Sequence, residues 1–273
     1  MTSPRALVIA GLDPSGGAGL VLDAFVFARS GYAPSTVATM LTAQNSAVFR
    51  RAVPVEAGML ADQIEVVHSE GPFACVKVGA VGSAQNARLL GSLLPDLGAP
   101  VVVDPVLGSS SGGDFVDGAE LAALDVLCST ATVATPNAGE AGRLAGTGDG
   151  RDLTAAEEAG SVLARRWRCT VVVTGVAPAL ACERSSHAVD VLCTVDSVER
   201  LAHPLVADTG DVRGTGCMFS ACLAVGLGAG LSVRDAVIGA QHGVADLLGA
   251  AAQLGHGSMQ IDAGVLWSQG SAR

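Results

Sequence analysis

The stretch that decides the fold reads Asp208-Thr209-Gly210-Asp211-Val212-Arg213-Gly214-Thr215-Gly216-Cys217 and continues as Met218-Phe219-Ser220-Ala221-Cys222-Leu223-Ala224. A polar, glycine-rich loop runs directly into an apolar helix of small residues. Gly214 and Gly216 lack side-chain bulk, so backbone N–H groups can turn towards one point, where the new helix also directs its free N–H groups and its positive dipole end. That arrangement suits an anion, most often a phosphate. A tight turn with a small buried cysteine is the simpler alternative, and the local sequence does not separate the two.

Cys217 falls in the first turn of this predicted helix. The field at a helix N-terminus favours a thiolate over a thiol. We therefore expect Cys217 to be a candidate reactive group if the loop binds an anion.

The composition predicts a globular α/β protein with a large core. Of the 273 residues, 49% are apolar and only 15% are charged, which is enough to bury a sizeable core. The net charge of −10 argues against nucleic acid or an anionic membrane as a partner. The seven cysteines form no C-x-x-C pair, which is typical of reduced, buried thiols and not of a zinc site. With no apparent leader or membrane-spanning run, the sequence predicts a cytoplasmic protein.

Short apolar runs with the form of buried strands alternate with segments of helical periodicity. The predicted strands are residues 6–11, 35–41, 75–79, 101–106, 130–134, 170–175 and, at an antiparallel edge, 189–195 with a less regular return to 206. The predicted helices are residues 20–30, 56–70, 86–97, 118–127, 138–145, 155–168, 217–228 and 233–254. This alternation predicts a mainly parallel sheet with helices on both faces, in one domain spanning residues 1–273.

Polar residues recur where the predicted strands end. Asp13, Gln44, Asp104 and Asn137 follow four different strands, and the carboxyl ends of strands in a doubly wound sheet lie along one rim. We therefore expect these side chains to converge with the loop at Gly214. Each of them alone is more often a turn or cap residue, and Asn137 could simply cap the helix that follows it.

Five motifs in this order resemble the ribokinase-like superfamily and, within it, the hydroxymethylpyrimidine/phosphomethylpyrimidine kinases of thiamine biosynthesis. They are Ala10-Gly11-Leu12-Asp13-Pro14-Ser15-Gly16-Gly17-Ala18-Gly19, Thr42-Ala43-Gln44-Asn45-Ser46, Val103-Asp104-Pro105-Val106, Thr135-Pro136-Asn137-Ala138-Gly139-Glu140 and Gly214-Thr215-Gly216-Cys217. The resemblance covers most of the chain, and it implies a three-layer α/β/α sandwich.

The activity that this resemblance implies is ATP-dependent phosphorylation of the hydroxymethyl group of 4-amino-5-hydroxymethyl-2-methylpyrimidine, with its monophosphate as the substrate of an optional second step. It implies Mg²⁺ as cofactor, ATP as co-substrate and a homodimer as one option for assembly. Two alternatives stay open at this point. One is a pyridoxal/pyridoxine kinase, whose substrate is also a flat ring with a hydroxymethyl group, and the other is a non-catalytic pyrimidine-binding descendant.

The resemblance also assigns roles to residues that match the family motifs. Gly214, Thr215 and Gly216 would form the anion hole for the transferring phosphoryl group, with Cys217 as the base. The ring would contact Asp23, Gln44, Gly11 and Ala80. The nucleotide would contact Asp104, Asn137, Thr174 and Arg213, and Mg²⁺ would be held near Glu140, Asn137 and Asp104. Phosphoryl transfer needs little beyond such alignment and charge stabilisation.

The departures from the family pattern concern positive charge. The family has a lysine after each of two strands. In this chain the loop at residues 109–112 contains no lysine, and Thr174 stands at the other position. Lys77 is the only lysine of the chain. Arg213 stands where a histidine is common, and Ala80 stands where a methionine would narrow the ring pocket. Two interpretations follow. In the first, Arg213 replaces the missing positive charge and the kinase is active. In the second, the chain has lost either efficient catalysis or only the second phosphorylation.

Overall fold

Strands and helices alternate along the chain, as the sequence predicts. The computed structural model describes residues 2–109, 113–114, 118–148, 152–176, 187–206 and 211–265. The strands are β1 (Arg5–Leu12), β2 (Ala33–Gln44), β3 (Phe49–Pro54), β4 (Cys75–Val78), β5 (Val101–Val103), β6 (Gly108–Ser109), β7 (Gly113–Asp114), β8 (Val133–Ala134), β9 (Thr170–Val176), β10 (His187–Cys193), β11 (Val198–Pro204), β12 (Ala251–Ala252) and β13 (Gln260–Ile261). The helices are α1 (Gly19–Arg29), α2 (Ala57–Ser69), α3 (Ala84–Leu93), α4 (Gly118–Cys128), α5 (Ala138–Ala145), α6 (Leu153–Trp167), α7 (Thr215–Gly228) and α8 (Val233–Leu248).

Nine strands form one central sheet in the order β11-β10-β9-β8-β5-β4-β1-β2-β3. The ladders from β2 through β1, β4, β5 and β8 to β9 are all parallel. Only the two edges are antiparallel, with β3 on β2 at one side and β10 and β11 at the other. The prediction of a mainly parallel sheet is therefore confirmed.

The two faces of the sheet carry separate apolar cores because strand side chains alternate between faces. In β1, Leu7 and Ile9 belong to the core under α2, α3, α4, α5 and α6, whereas Ala6 and Val8 belong to the core under α1, α7 and α8. All four side chains are fully buried. This arrangement confirms the predicted three-layer α/β/α sandwich.

The edges and ends of elements differ from the sequence prediction. The edge strand β3 (Phe49–Pro54) was not predicted, because its residues are mostly exposed and carry no buried apolar alternation. The return to residue 206, predicted as irregular, contains the regular strand β11. Strand β5 ends before Pro105, and α3 gives way to a 3-10 turn at Leu94–Leu97, which contains Pro95, since proline removes a backbone donor. The last helix ends at Leu248 and not at residue 254.

The described part of the chain contains no helix with both the length and the apolar character needed to cross a membrane. The predicted single domain over residues 1–273 stays a prediction, because several segments and the last eight residues lie outside the description. Residues 208–210, at the start of the loop that runs into α7, also lie outside the described residues.

A buried polar cluster joins the antiparallel edge of the sheet to α8. The Asp190 carboxylate of β10 accepts a hydrogen bond from Gln241 Nε2 of α8 at 2.9 Å. It lies 3.5 Å from His203 Nε2 on β11. The hydrogen bond to Asp190 raises the pKa of His203 above its ordinary value, more than partial burial lowers it.

We expect this pair to make stability depend on pH. A histidine whose folded pKa is raised stabilises the fold fully below its ordinary pKa of about 6.5, and this contribution is lost as the pH rises through the folded value. His203→Gln should therefore lower the free energy of unfolding at pH 6 by up to about 1 kcal/mol and have little effect at pH 9. Urea unfolding at both pH values measures this, with the exposed His242→Gln as control; a loss equal at both pH values would contradict the assignment.

Candidate active site

A cavity of about 550 Å³ opens at the carboxyl ends of the central strands, within the usual range for small-molecule sites. Its wall combines the ends of β1, β2, β4, β5, β8 and β9 with the beginnings of α1, α5 and α7. Most of the predicted site residues line it together, namely Gly11, Asp13, Gln44, Ala80, Asp104, Asn137, Glu140, Thr174, Arg213, Gly214, Thr215, Gly216 and Cys217. The expected convergence of the strand ends on the glycine loop is therefore what the fold produces.

The N-terminus of α7 is left open to this cavity. Gly214 is the N-cap, with a left-handed φ of +85°, and among the described residues no side chain caps the helix. A Cβ atom at Gly214 would lie 2.3 Å from the carbonyl oxygen of Gly17, so only glycine fits here. Thr215 and Gly216 are exposed at the cavity wall. Their backbone N–H groups thus remain available for an anion.

A second uncapped helix begins at the same cavity. Helix α1 has Ala18 as N-cap and, within the described residues, no capping side chain. Its first residue, Gly19, has φ +59°, and a Cβ atom there would lie 2.3 Å from Gly11 O. Every other α-helix with a described N-cap is capped by a side chain, and the capping residues are Glu56, Ser83, Asn137, Asp152 and Ser232. Helices α1 and α7 thus begin at the cavity without such caps, whereas α5, which also begins there, is capped by Asn137.

Cys217 lies partly exposed on the cavity wall between these two helix ends. Its surroundings raise the pKa of Cys217 to about 12. Desolvation is the main cause; the positive charge of Lys77 and the Gly19 N–H group lower the pKa, whereas Asp23 and Asp104 raise it. The helix field was expected to make Cys217 a thiolate. With this raised pKa the thiol is the main form near neutral pH, because desolvation and two nearby carboxyl groups outweigh the effects that favour the thiolate.

Lys77 is a cavity residue that the sequence analysis did not assign. Its Nζ atom lies 2.6 Å from Asp23 Oδ2, and both side chains are 0% exposed. Burial raises the pKa of Asp23 to about 6, although the charge and hydrogen bond of Lys77 offset part of this effect. Asp23 is absent from the described cavity wall, so the structure does not support the expected direct contact with the ring. The available signal was a lone lysine inside the apolar strand β4.

Arg213 is buried and not a surface residue. Its Nη2 atom lies 3.2 Å from Asp13 Oδ2, with both side chains 2% exposed. Its Nη1 atom donates to the carbonyl oxygen of Asn45. The guanidinium therefore joins the loops after β1 and β2 to the start of α7. Because its charge is already paired with a buried carboxylate, the interpretation that Arg213 replaces a lysine at the nucleotide is not supported.

One part of the cavity wall, formed by Asp104 and Glu140, is acidic. Asp104 is buried and accepts a hydrogen bond from Ser220 Oγ at 3.3 Å. Glu140 Oε1 accepts from the Leu107 N–H group at 3.3 Å. Burial, followed by the charge of Asp104, raises the pKa of Glu140 to about 8. Because the charge of Asp104 opposes the ionisation of Glu140, a cation beside these two carboxyl groups would be favoured.

Asn137 caps helix α5, as the simpler alternative proposed. Its Oδ1 atom accepts from the Glu140 N–H group at 3.0 Å, and Glu140 Oε2 accepts from the Asn137 N–H group at 3.0 Å. This capping box also fixes Glu140. Thr174 forms a parallel β-bridge with Asn137. The Asn137 amide oxygen is thus engaged by the helix, which argues against it as a direct metal ligand.

Met40 and Arg143 are among the other cavity residues that the sequence did not assign to the site. Met40 lines the cavity from β2, and its Cε atom would lie 2.8 Å from a Cβ atom at Gly11. Arg143 lines the cavity from α5 and is exposed. An apolar residue in a strand and a basic residue in a helix carry no local signal of a site. The lysine-free stretch at residues 110–112 lies outside the described residues.

Comparison with known proteins gives the family. The family model described as phosphomethylpyrimidine kinase matches residues 13–262. A hydroxymethylpyrimidine/phosphomethylpyrimidine kinase of Streptomyces coelicolor is 34% identical over 99% of this chain and 97% of its own length. The thiamine biosynthesis multifunctional protein ThiED of Corynebacterium efficiens is 36% identical over 96% of this chain, which spans only 35% of that longer protein.

Solved structures agree in fold. The ADP complex of Bacillus subtilis pyridoxal kinase is similar with a TM-score of 0.85 at 24% identity, over 97% of this chain and 99% of that one. Phosphomethylpyrimidine kinase of Clostridium difficile 630 is similar with a TM-score of 0.73 at 25% identity, over 89% of this chain and 98% of that one. The matches to the family model and to the curated relatives establish that this chain belongs to the phosphomethylpyrimidine kinase family.

Proposed function

We propose that this chain transfers the terminal phosphoryl group of ATP to the hydroxymethyl group of 4-amino-5-hydroxymethyl-2-methylpyrimidine, in thiamine biosynthesis. The observation that carries the proposal is the position of Cys217 between two helix N-termini without side-chain caps, on the wall of a cavity of suitable size. The transferring group is a phosphate, and open helix N-termini are suited to bind it. The names of the curated relatives support the same substrate.

The ring is placed at the end of the cavity formed by β1, β2 and β4. Gly11 and Ala80 leave room for a flat ring, and Met40 provides an apolar wall. The Gln44 side-chain amide offers both a donor and an acceptor, as an aminopyrimidine requires. This set contains the predicted substrate residues with the exception of Asp23. Asp23 does not line the cavity, and its proposed role is to hold Lys77, which does.

Transfer of the phosphoryl group then needs charge stabilisation and a proton acceptor. The backbone N–H groups at Thr215, Gly216 and Cys217 are placed to stabilise negative charge on the transferring oxygens. The Cys217 thiolate is the proposed acceptor for the hydroxymethyl proton. With a pKa of about 12, the thiol is the main form near neutral pH, so the thiolate acts as a minor but strongly basic form, and Lys77 and the Gly19 N–H group are the neighbours that stabilise it.

The nucleotide and its metal are placed at the acidic part of the cavity wall. Asp104 and Glu140 provide carboxylate oxygens, with Asn137 and Thr174 beside them. No cluster of three His, Cys, Asp or Glu side chains that could hold a metal occurs among the described residues. The two carboxyl groups suit Mg²⁺, which keeps several waters and needs only one or two carboxylates plus phosphate oxygens. When bound, Mg²⁺ would neutralise charge on the nucleotide phosphates.

The test is an assay of ADP release, coupled to a reporter reaction, with Mg-ATP and the hydroxymethylpyrimidine as substrates. The masses of the products are measured at the end of the reaction. Singly and doubly phosphorylated products would establish both steps without the family lysines. A singly phosphorylated product alone would confine the activity to the first step. No ADP, with the pyrimidine still bound, would reject the kinase in favour of the binding descendant. Activity unchanged by EDTA would reject the Mg²⁺ assignment.

The second candidate is pyridoxal/pyridoxine kinase activity. It is favoured by Ala80, which leaves a wider ring pocket, while the resemblance to pyridoxal kinase structures shows the fold alone. Turnover of pyridoxine and of the hydroxymethylpyrimidine at equal concentration separates the two, and a preference for pyridoxine would reject the first proposal. The homodimer and the cytoplasmic location stay predictions, which sedimentation and fractionation of cells can test.

A further inference from the structure

A short segment outside the central sheet, residues 257–260, contacts three of the loops that form the cavity. Its last residue, Gln260, begins β13 and is buried. The Gln260 Oε1 atom would lie 2.5 Å from a Cβ atom at Gly17, in the loop between β1 and α1. The side chain of Gln260 therefore packs directly against the loop that leads into α1.

The second contact is with the phosphoryl loop, residues 211–217, which leads into α7. The Arg213 N–H group donates to Met259 O at 2.9 Å, and the Met259 N–H group donates to Asp211 O at 3.0 Å. Together these bonds form a short parallel β-bridge. Ser258 Oγ adds a hydrogen bond to Asp211 Oδ2 at 2.9 Å. The start of the phosphoryl loop is thus held by backbone pairing with the 257–260 segment.

The third contact is with the ring-side turn, residues 44–48, which begins with the proposed ring contact Gln44. The Ser258 N–H group donates to Ser46 O at 3.1 Å, and the Gly257 N–H group donates to Ser46 Oγ at 3.3 Å. Ser46 is buried. The two backbones lie so close that a Cβ atom at Gly257 would be 2.5 Å from Ala47 Cα, and closer still to Ser46 O. This contact therefore requires glycine at position 257.

Arg213 joins the same two loops a second time. Its backbone pairs with Met259, while its buried guanidinium donates to Asn45 O and lies 3.2 Å from Asp13 Oδ2. The ring-side turn and the phosphoryl loop are therefore connected both by a side chain and by a backbone segment. A shift of one loop relative to the other must break some of these contacts.

We propose that the 257–260 segment positions the ring-side turn relative to the phosphoryl loop, and so aligns the substrate hydroxyl with the phosphoryl group that it attacks. This inference rests on the proposed function. The residues of the segment are absent from the described cavity wall. They are therefore positioning residues, which act through the two loops and do not touch the reacting groups.

The chemistry of the transfer explains why the distance between the loops matters. The hydroxyl oxygen bonds to the terminal phosphorus of ATP, the bond from that phosphorus to the leaving ADP oxygen breaks, and the hydroxyl proton passes to the Cys217 thiolate. The reacting atoms must first approach in line to about 3–3.5 Å. Because the ring and the phosphoryl group are held by different loops, the spacing of those loops sets this approach.

Gly257→Ala tests the assignment, because the added methyl group does not fit against the ring-side turn. Gly257 has no left-handed φ, so alanine can adopt its backbone conformation. The segment and the turn would have to separate by about 1 Å, and a misplacement of this size can lower turnover about 100-fold. We expect kcat to fall about 100-fold, while the Kd values of the hydroxymethylpyrimidine and of ADP, titrated separately, change less than about threefold.

The matched control is Gly239→Ala on α8, where an added Cβ atom meets nothing within 4 Å. It should keep the kcat of the wild type. Two milder variants, Ser258→Ala and Ser46→Ala, cover the case in which circular dichroism shows that Gly257→Ala does not fold. Each removes one side-chain hydrogen bond of the segment, and each should lower kcat about threefold.

The other outcomes would overturn the inference. If Gly257→Ala keeps the kcat of Gly239→Ala, the inference is wrong while the proposed function stands. If Gly257→Ala weakens pyrimidine binding about tenfold and leaves kcat at saturation unchanged, the segment shapes the ring pocket and does not align the reacting groups. If Gly257→Ala does not fold and neither serine variant lowers kcat, the alignment role is rejected. A wild type that releases no ADP rejects the proposed function and this inference with it.

Discussion

Cys217→Ser is expected to lower kcat at least about 100-fold, while KM for the hydroxymethylpyrimidine changes by less than about threefold. Serine keeps the size of the side chain and the helix N-terminus, so substrate and phosphates should still bind. The substitution removes the thiolate that accepts the proton of the substrate hydroxyl, because a serine hydroxyl ionises far less readily than a thiol. Steady-state kinetics with the pyrimidine varied at saturating Mg-ATP measures both constants.

The matched control for this variant is Cys222→Ser on the same helix. Cys222 is also partly exposed, but its sulfur packs against Gly243 of α8 and not against the cavity. It should keep nearly full activity. The wild-type rate should also rise with pH between about pH 7 and 9, because the thiolate fraction grows below a pKa of about 12. If Cys217→Ser were as active as Cys222→Ser, the role of Cys217 as a base would be contradicted and Cys217 would be only a packed side chain.

Lys77→Met is expected to lower the free energy of unfolding by about 3–5 kcal/mol at neutral pH. The change leaves the Asp23 carboxylate fully buried without its partner, and desolvation of an unpaired charge is costly. Urea unfolding followed by circular dichroism measures the loss. Asp23→Asn combined with Lys77→Met should recover part of it, because the double variant buries no charge; this coupling is read from a double-mutant cycle.

The control for the ion pair is Arg200→Met, which breaks the pair with Glu157 at the surface. Those side chains are 58% and 24% exposed, so the loss should stay below about 1 kcal/mol. The deficit of Lys77→Met should shrink as the pH falls. The folded pKa of Asp23, already raised to about 6, rises further without Lys77, and protonation then removes the buried charge. Equal losses in Lys77→Met and Arg200→Met, independent of pH, would show that the buried pair has no special role.

The sequence alone predicted the layers of the fold and about half of the cavity wall, 13 of its 27 residues. Buried parallel strands are short apolar runs, and their alternation with helical periodicity is visible locally, as in β1 and α1. Gly214 could be assigned to a special turn because glycine chemistry is also local. The strand-end residues Asp13, Gln44, Asp104 and Asn137 converge because the topology of a parallel sheet places all those ends on one rim. Edge strand β3 escaped since an exposed strand carries little apolar signal.

What only the tertiary structure decided is how the charges of the cavity are distributed. Lys77 and Asp23 are 54 residues apart in the chain, and Arg213 and Asn45 are 168 apart. No local pattern shows that these groups are buried together, so Asp23 was expected at the ring and Arg213 at the nucleotide. The high pKa of Cys217 has the same origin, because desolvation and the field of distant side chains depend on three-dimensional packing. Residue types and periodicity are local properties, whereas the ionisation and availability of a side chain are set by contacts between residues far apart in sequence.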